Sequence, residues 1–274
     1  MSSTLPSAGL QRPEAATVAA QAATSNDASK SPFATPRPSL QPHLTEQPPR
    51  RTLEFRGWTV ETCKKPILSS TEIERAEAAL SLPMPEMIFG NNYLSVTHAA
   101  SGFQLSFRAL DALRHVAVGH EAARSVQVAY AEDWARTRDD PEEKVEVVKP
   151  YDWTYSTDYR GTITAAKQEQ QTDAAPLAFT PTEKAIDYDR LRQREQILFF
   201  DDVVLFEDEL ADNGTALLTA KVRVMPTGFF ILQRLFMRVD GVLLRMNETR
   251  VYHAFGTDHV LREYTCREDR YQTV

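Results

Sequence analysis

From Leu217 to Thr265 the chain reads LLTAKVRVMPTGFFILQRLFMRVDGVLLRMNETRVYHAFGTDHVLREYT. Between Leu217 and Met225, Ala220, Val222 and Val224 alternate with Thr219, Lys221 and Arg223, the period of a strand with one dry and one wet face. Pro226 and Gly228 interrupt it. Phe229 to Val239 then sets Phe229, Ile231, Leu235, Met237 and Val239 on one side and Phe230, Leu232 and Phe236 on the other, so this strand is expected at the centre of a sheet, covered on both faces. Asp240-Gly241 is a hairpin signal, and Val242 to Asn247, Arg250 to Ala254 and Val260 to Thr265 follow as strands. Consecutive strands joined by short turns predict an antiparallel meander, not the parallel sheet of a nucleotide-binding fold.

Upstream the same alternation recurs. Ile197 to Leu210 is a strand leading into an Asp212-Asn213-Gly214 turn. Phe55 to Cys63 reads as one strand with Trp58 and Val60 on a shared face, and Tyr93 to His98 with Phe103 to Phe107 form a hairpin around Ser101-Gly102. Ser69 to Leu82 is helical: Glu72 and Glu74 lie near its positive end, Ile73, Ala76 and Leu80 form its apolar stripe, and Pro83 stops it. Asp111 is expected to cap a short helix containing Leu113 and Val116, and Asp187 to Gln196 is expected to form another. Val126 to Ala131 and Val145 to Thr157 have strand character, with Tyr151, Trp153 and Tyr155 on one face of the latter. Arg136 to Lys144 is a solvated loop, and 164–181 a flexible surface insertion. The fold class expected is mainly β (α+β), an antiparallel meander or sandwich with a few short helices, forming a single domain over residues 52–270.

Composition divides the chain. Met1 to Arg51 holds eight of the 16 prolines and one aromatic residue, Phe33, so it cannot bury enough apolar surface to offset an ordering cost of about 1–2 kcal/mol per residue, and a disordered tail is expected. The whole chain carries a net charge of −7. The tail has five basic and three acidic residues, which leaves 26 Lys+Arg against 35 Asp+Glu in the remainder, a net of −9. An acidic body of this kind is repelled by phosphate backbones and anionic lipid, so neither nucleic acid nor membrane is an expected partner. No apolar run approaches the roughly 20 residues of a membrane-spanning helix, and no charged start followed by an apolar stretch marks a secretory signal. Cys63 and Cys266 show no metal or redox spacing, which suits a reducing, cytoplasmic setting, with the nucleus also open.

Known chemical constellations fail by spacing. The ten glycines form no phosphate loop, and His43, His98, His115, His120, His253 and His259 contain no helical metal-ligating pair. Within the acidic run Asp201, Asp202, Glu207, Asp208, Glu209 and Asp212, a calcium loop begun at Asp208 puts Leu210 at its third position and Asn213 at its sixth, so no metal or other cofactor is expected. An acid/base site assembled across strands from His98, His253 and nearby carboxylates is the enzymatic alternative. Single-stranded nucleic acid stacking on Tyr151, Trp153 and Tyr155 would need a basic surround.

Six blocks carry more specific information: 82–92 (LPMPEMIFGNN), 98–116 (HAASGFQLSFRALDALRHV), 149–162 (KPYDWTYSTDYRGT), 194–214 (REQILFFDDVVLFEDELADNG), 222–253 (VRVMPTGFFILQRLFMRVDGVLLRMNETRVYH) and 261–268 (LREYTCRE). In this collinear order over residues 54–268 the chain resembles the Tip-forty-one-like family of TOR signalling regulators. The resemblance implies a mainly antiparallel β domain without catalytic activity, a monomer when free. Its implied partner is the catalytic subunit of type 2A-like serine/threonine phosphatases, contacted through Asp111, Ile186, Met246 and Glu248. Family members commonly carry aspartate where this chain has Glu248, one methylene shorter. The stretch before the blocks is longer than in animal members, and the chain stops at Val274 where those members continue. From the residues alone, Asp111 also serves as a helix cap, Met246 as core packing beside Val242 and Leu244, and Ile186 as a hydrophobic staple, while Glu248 sits in a turn between strands.

Overall fold

Alternating burial along the last five strands sets the architecture. In a computed structural model that describes residues 12–18, 40–116, 126–128, 149–151, 155–165 and 177–270, each of these strands turns one face to a common core. In chain order the elements are β1 (Glu14–Thr17), β2 (His43–Gln47), β3 (Arg50–Phe55), β4 (Trp58–Cys63), α1 (Ser70–Leu80), β5 (Met87–Ile88), β6 (Tyr93–His98), β7 (Phe103–Arg108), α2 (Ala109–Leu113), β8 (Val126–Val128) and β9 (Lys149–Tyr151). They continue as β10 (Thr162–Ala165), β11 (Thr180–Pro181), α3 (Tyr188–Leu191), β12 (Phe199–Asp208), β13 (Gly214–Met225), β14 (Gly228–Val239), β15 (Leu243–Ala254) and β16 (His259–Arg270). An eight-stranded sheet runs β11-β1-β16-β15-β14-β13-β12-β5, a six-stranded sheet runs β10-β7-β6-β4-β3-β2, and β8 pairs with β9. Every strand pairing is antiparallel, as the meander reading predicts.

The two large sheets share one core. Trp58, Val60, Val96, Phe103 and Leu105 of the smaller sheet and Val203, Val222, Phe229 and Ile231 of the larger belong to a single buried cluster. Trp58 meets Phe229 edge-on across the interface, ring centroids 5.0 Å apart. A bulge in β12 between Val204 and Phe206 inserts Leu205 and keeps Phe206 and Asp208 pointing inward beyond it. One charge sits between the sheets. Asp201, almost fully buried, accepts from Thr62 Oγ1 at 2.5 Å, bonds Lys64, and lies 3.3 Å from Arg51 Nη1. Burial alone would raise its pKa, but the hydrogen bonds from Lys64 and Thr62 outweigh burial and hold the carboxyl below the ordinary value.

Several local expectations hold. Ser69 and Glu72 form a reciprocal capping box at the start of α1, and β6 and β7 form the expected hairpin. Others are corrected. Within the stretch assigned to a disordered tail, residues 12–18 and 40–51 carry β1, β2 and the start of β3, while 1–11 and 19–39 lie outside the described residues; strands pair through their backbones, so low apolar content does not forbid them, and Glu14 finds Arg262. The single strand drawn from Phe55 to Cys63 is two, because Arg56 (φ 51°) and Gly57 (φ 81°) turn the chain back. The expected break at Asn247-Glu248-Thr249 does not exist: β15 runs unbroken for 12 residues, since Glu248 is neutralised by arginines on its own face. Asp111 does not cap α2; Arg108 occupies the cap position, and Asp111 lies in the first turn. Val116 lies beyond that helix and makes an isolated bridge to Thr157. Tyr155 is not on a shared aromatic strand face, for it is buried against Phe206 at a left-handed position (φ 47°). Trp153, the loop 136–144 and residues 166–176 of the expected insertion lie outside the described residues.

Candidate protein-docking face

The outer face of the large sheet carries three of the four candidate residues. Side-chain alternation in β15 sends Leu243, Val251 and His253 toward the core, so Leu244, Met246, Glu248, Arg250 and Tyr252 face away from it. Register fixes their neighbours. Met246 stands opposite Phe236, which stands opposite Leu217; Glu248 stands between Arg234 and Thr265; Arg250 stands between Leu232 and Glu263. The face therefore has an apolar end at Met246, Phe236 and Leu217, all half-buried, and a charged band beside it.

Glu248 is the anchor of that band. It is 4 % exposed, and its carboxylate accepts from Arg234 Nε at 2.7 Å and from Arg250 Nη2. A carboxylate with that little solvent needs both partners, because an uncompensated buried charge costs several kcal/mol. Arg234 remains partly exposed and Arg250 less so, so the face presents two guanidiniums tied to one carboxylate. Further along the same rows Lys221 pairs with Asp202 at 2.8 Å.

The opposite end of the face is covered by the chain itself. Asp187 caps α3 by accepting from Arg190 N at 2.9 Å, and Ile186 before it is buried against Tyr252 and Leu261, with Leu191 packed on the same cluster. This is the hydrophobic staple read from the sequence. Ile186 N also donates to Glu263 Oε1 (3.0 Å) and Tyr188 donates its hydroxyl to Glu263 Oε2 (2.6 Å), which pushes the phenol up to about 12 through burial first and the carboxylate second. Arg223 Nη2 donates to Leu191 O at 2.9 Å. An open hollow of about 620 Å³ beside α3 is lined by the polar and charged residues Asp187, Asp189, Arg190, Gln193, Glu195 and Thr227, with no hydrophobic side chain among them, unlike the apolar clefts that hold small ligands.

Asp111 is elsewhere. From α2 it bonds Arg114 and accepts from Thr162 Oγ1 (3.0 Å) of β10, the edge of the smaller sheet. Thr162 in turn shares a hydrogen bond with Tyr159 Oη at 2.9 Å, and that hydroxyl donates to Ser106 O at 3.0 Å. The segment carrying Tyr159 packs on the core side of β15, where Asn247 Nδ2 donates to Thr157 O and Arg245 to Ser156 Oγ. Asp111 and the Met246–Glu248 patch thus belong to different sides of the large sheet. Met246 is not core packing, because its strand position points it outward, and Val242 precedes the strand.

Sequence reasoning named Glu248 and missed Arg234 and Arg250, which bond its carboxylate. Arg250 lies two residues along the same strand, whereas the signal of Arg234 is cross-strand and requires the register.

Among the described residues, His98 and His253 both pack on Trp58, with ring centroids 4.8 and 4.5 Å from it, and neither is paired with a carboxylate. His98 Nδ1 meets Ser101 Oγ at 2.9 Å, and His253 Nδ1 meets the backbone oxygen of His259 at 2.8 Å. Of the acidic run, Asp201 is held by Thr62 and Lys64, and Asp208 accepts from the backbone N–H groups of Glu86 and Leu210. Among the described residues no group of three or more His, Cys, Asp or Glu side chains is placed to hold a metal.

Residues 87–274 match the family model described as the TIP41-like family. The chain belongs to that family. It is 44 % identical over 229 residues to the TIP41-like protein of Homo sapiens, covering 83 % of this chain and 80 % of that one. It is 36 % identical over 220 residues to the type 2A phosphatase activator tip41 of Schizosaccharomyces pombe, with 80 % of this chain and 82 % of that protein covered. Against the type 2A phosphatase activator TIP41 of Saccharomyces cerevisiae the figures are 34 % over 255 residues, 87 % and 68 %. The TIP41-like match begins at Met87, so it includes the whole outer face from β12 to β16 and leaves β1 to β4 outside.

Proposed function

We propose that this TIP41-like chain regulates a type 2A-like serine/threonine phosphatase by docking on its catalytic subunit, without chemistry of its own, as a cytoplasmic component of TOR nutrient signalling that is monomeric when free. The observation that carries the reading is identity of 34–36 % to two yeast proteins named type 2A phosphatase activators, together with a family match over residues 87–274 that includes the outer sheet face. The physical character of that face supports it. Met246 and Phe236 supply an apolar contact, and the thioether of Met246 adapts to an uneven partner surface. Arg234 and Arg250, locked by Glu248, supply directional donors whose ordering cost is already met in the free protein.

The family resemblance also supplies Asp111 on α2 as a second contact, away from this face. The test is the affinity of the full chain for purified phosphatase catalytic subunit, measured by biolayer interferometry. Met246→Ala combined with Phe236→Ala is expected to weaken binding at least tenfold at unchanged melting temperature, and Asp111→Arg to weaken it separately. Retention of full affinity by the folded Met246→Ala/Phe236→Ala variant excludes the outer face as the docking surface.

A further inference from the structure

The large sheet is completed by a strand from far outside the family match. β1 lies between β16 and β11 and bonds on both sides: Glu14, Ala15, Ala16 and Thr17 pair with Arg262, Leu261, Val260 and His259, while Glu14 and Ala15 pair with Pro181 and Thr180. Val18 N extends the pairing to Asp258 O (2.6 Å), and Thr182 N reaches Pro13 O (2.9 Å). Alternate residues point inward. Ala16 and Val18 enter the core cluster, both essentially without solvent exposure, and Glu14 meets Arg262 Nε at 3.0 Å and Arg160 Nη1 at 3.9 Å.

The walls of this gap have their own supports. The Arg262 guanidinium sits 4.0 Å over the Phe179 ring and donates from Nη1 to Arg160 O, and the Arg160 guanidinium sits 4.1 Å over the Tyr264 ring. Arg160, Phe179, Thr180, Val260, Arg262 and Tyr264 all fall within the matched residues 87–274, whereas the strand that fills the gap does not. Without that strand the gap offers unpaired backbone on two edges, two ring-stacked arginines and two apolar depressions, the parts of a site that recognises an extended peptide by strand addition.

We propose that the gap between β16 and β11 is a peptide-binding slot, held shut in cis by residues 14–18. In trans it takes an extended segment with a carboxylate at one position, a small residue two positions on and an aliphatic residue two beyond that. The carboxylate answers Arg262 and Arg160, the small residue fits the depression of Ala16, and the aliphatic residue that of Val18. A segment in the same chain competes at an effective concentration on the order of millimolar, so the intact protein resists weak peptides and admits only a stronger one or one arriving after the strand is released.

The experiment uses the full chain and a fluorescein-labelled peptide of residues 12–19, RPEAATVA. Fluorescence anisotropy is expected to show at least tenfold tighter uptake by Ala16→Asp, whose own strand is expelled because the new carboxylate would be buried without a partner, than by the unaltered chain. A probe with lysine in place of its glutamate is expected to lose at least tenfold. A folded Ala16→Asp variant that takes up the probe no better than the unaltered chain overturns the proposal. Should that variant not fold, hydrogen exchange on the unaltered chain decides: the Val18 amide is expected to exchange at least a hundredfold faster than those of Ile231 and Val251, and equal protection overturns it.

Discussion

Burial of His253 predicts that the stability of this protein falls in mild acid. Its ring is 2 % exposed, enclosed by Trp58, Phe229 and Phe255. Burial is the dominant cause that lowers its pKa from the ordinary 6.5 to about 4, partly opposed by the bond to the His259 carbonyl. Because that carbonyl only accepts, Nδ1 carries the proton of the neutral ring. The sign follows from proton counting. Between the two pKa values the unfolded chain binds the proton and the folded chain does not, so stability is complete above about 6.5 and falls as pH drops toward 4. A shift of that size corresponds to about 3 kcal/mol in full, of which roughly 2 kcal/mol is lost between about pH 7 and pH 4.5. Urea unfolding followed by far-ultraviolet circular dichroism across that range measures it. In His253→Phe the ring remains among aromatic neighbours, and the His259 carbonyl keeps the Thr257 hydroxyl at 3.3 Å. That variant is expected to lose stability outright and to shed most of the pH dependence, retaining a smaller slope from His98, whose pKa burial also lowers. An unaltered protein whose stability is flat to within about 0.5 kcal/mol down to about pH 4.5 refutes the reasoning, as does a His253→Phe variant with an undiminished slope.

Two other substitutions follow from the same contacts. Gly228→Ala would set a Cβ 2.3 Å from the backbone oxygen of His253, where β14 and β15 meet; the strands must separate there, and a loss of about 1–3 kcal/mol is expected, visible as a fall of several degrees in melting temperature. Asp201→Ala leaves Thr62 without its acceptor but lets the half-exposed Lys64 and Arg51 return to water, so the expected cost is about 2 kcal/mol rather than the 3–5 of a fully sealed ion pair. Since the folded carboxyl titrates below its ordinary value of 3.8, that contribution is present above this pH and lost as pH falls below it, and denaturation midpoints of the two proteins should converge at low pH.

The features legible in the chain are those whose partners lie close in sequence. The capping box of Ser69 and Glu72 spans three residues, the staple of Ile186 and Leu191 spans five, and the alternation of β13 and β14 is visible strand by strand. The same locality explains the failures. Asp111 has a cap's composition, yet it lies in the first turn of α2 and its carboxylate is taken by Thr162, 51 residues away. Residues 14–17 have a tail's composition, yet their partners are 248 residues along, at Arg262.

The site shows the division most clearly. The resemblance names Met246 and Glu248, but only the unbroken β15 sets them on one face of a strand. Their surroundings depend on a single residue in the connection between β14 and β15. A two-residue Asp240-Gly241 turn would place Glu248 opposite Gln233; the connection is instead the three residues Asp240, Gly241 and Val242, with Gly241 at φ 72° and Val242 N bonded to Val239 O. That extra residue brings Arg234 opposite Glu248 and so converts a buried charge into a paired one. The sequence by itself determined the alternation that makes β12 to β14 strands, the antiparallel succession of the last third of the chain and the family. Only the tertiary structure decided which side chains stand opposite which, because register is fixed jointly by turn geometry and by the fit of both faces, and a slip of one residue exchanges every cross-strand neighbour at once.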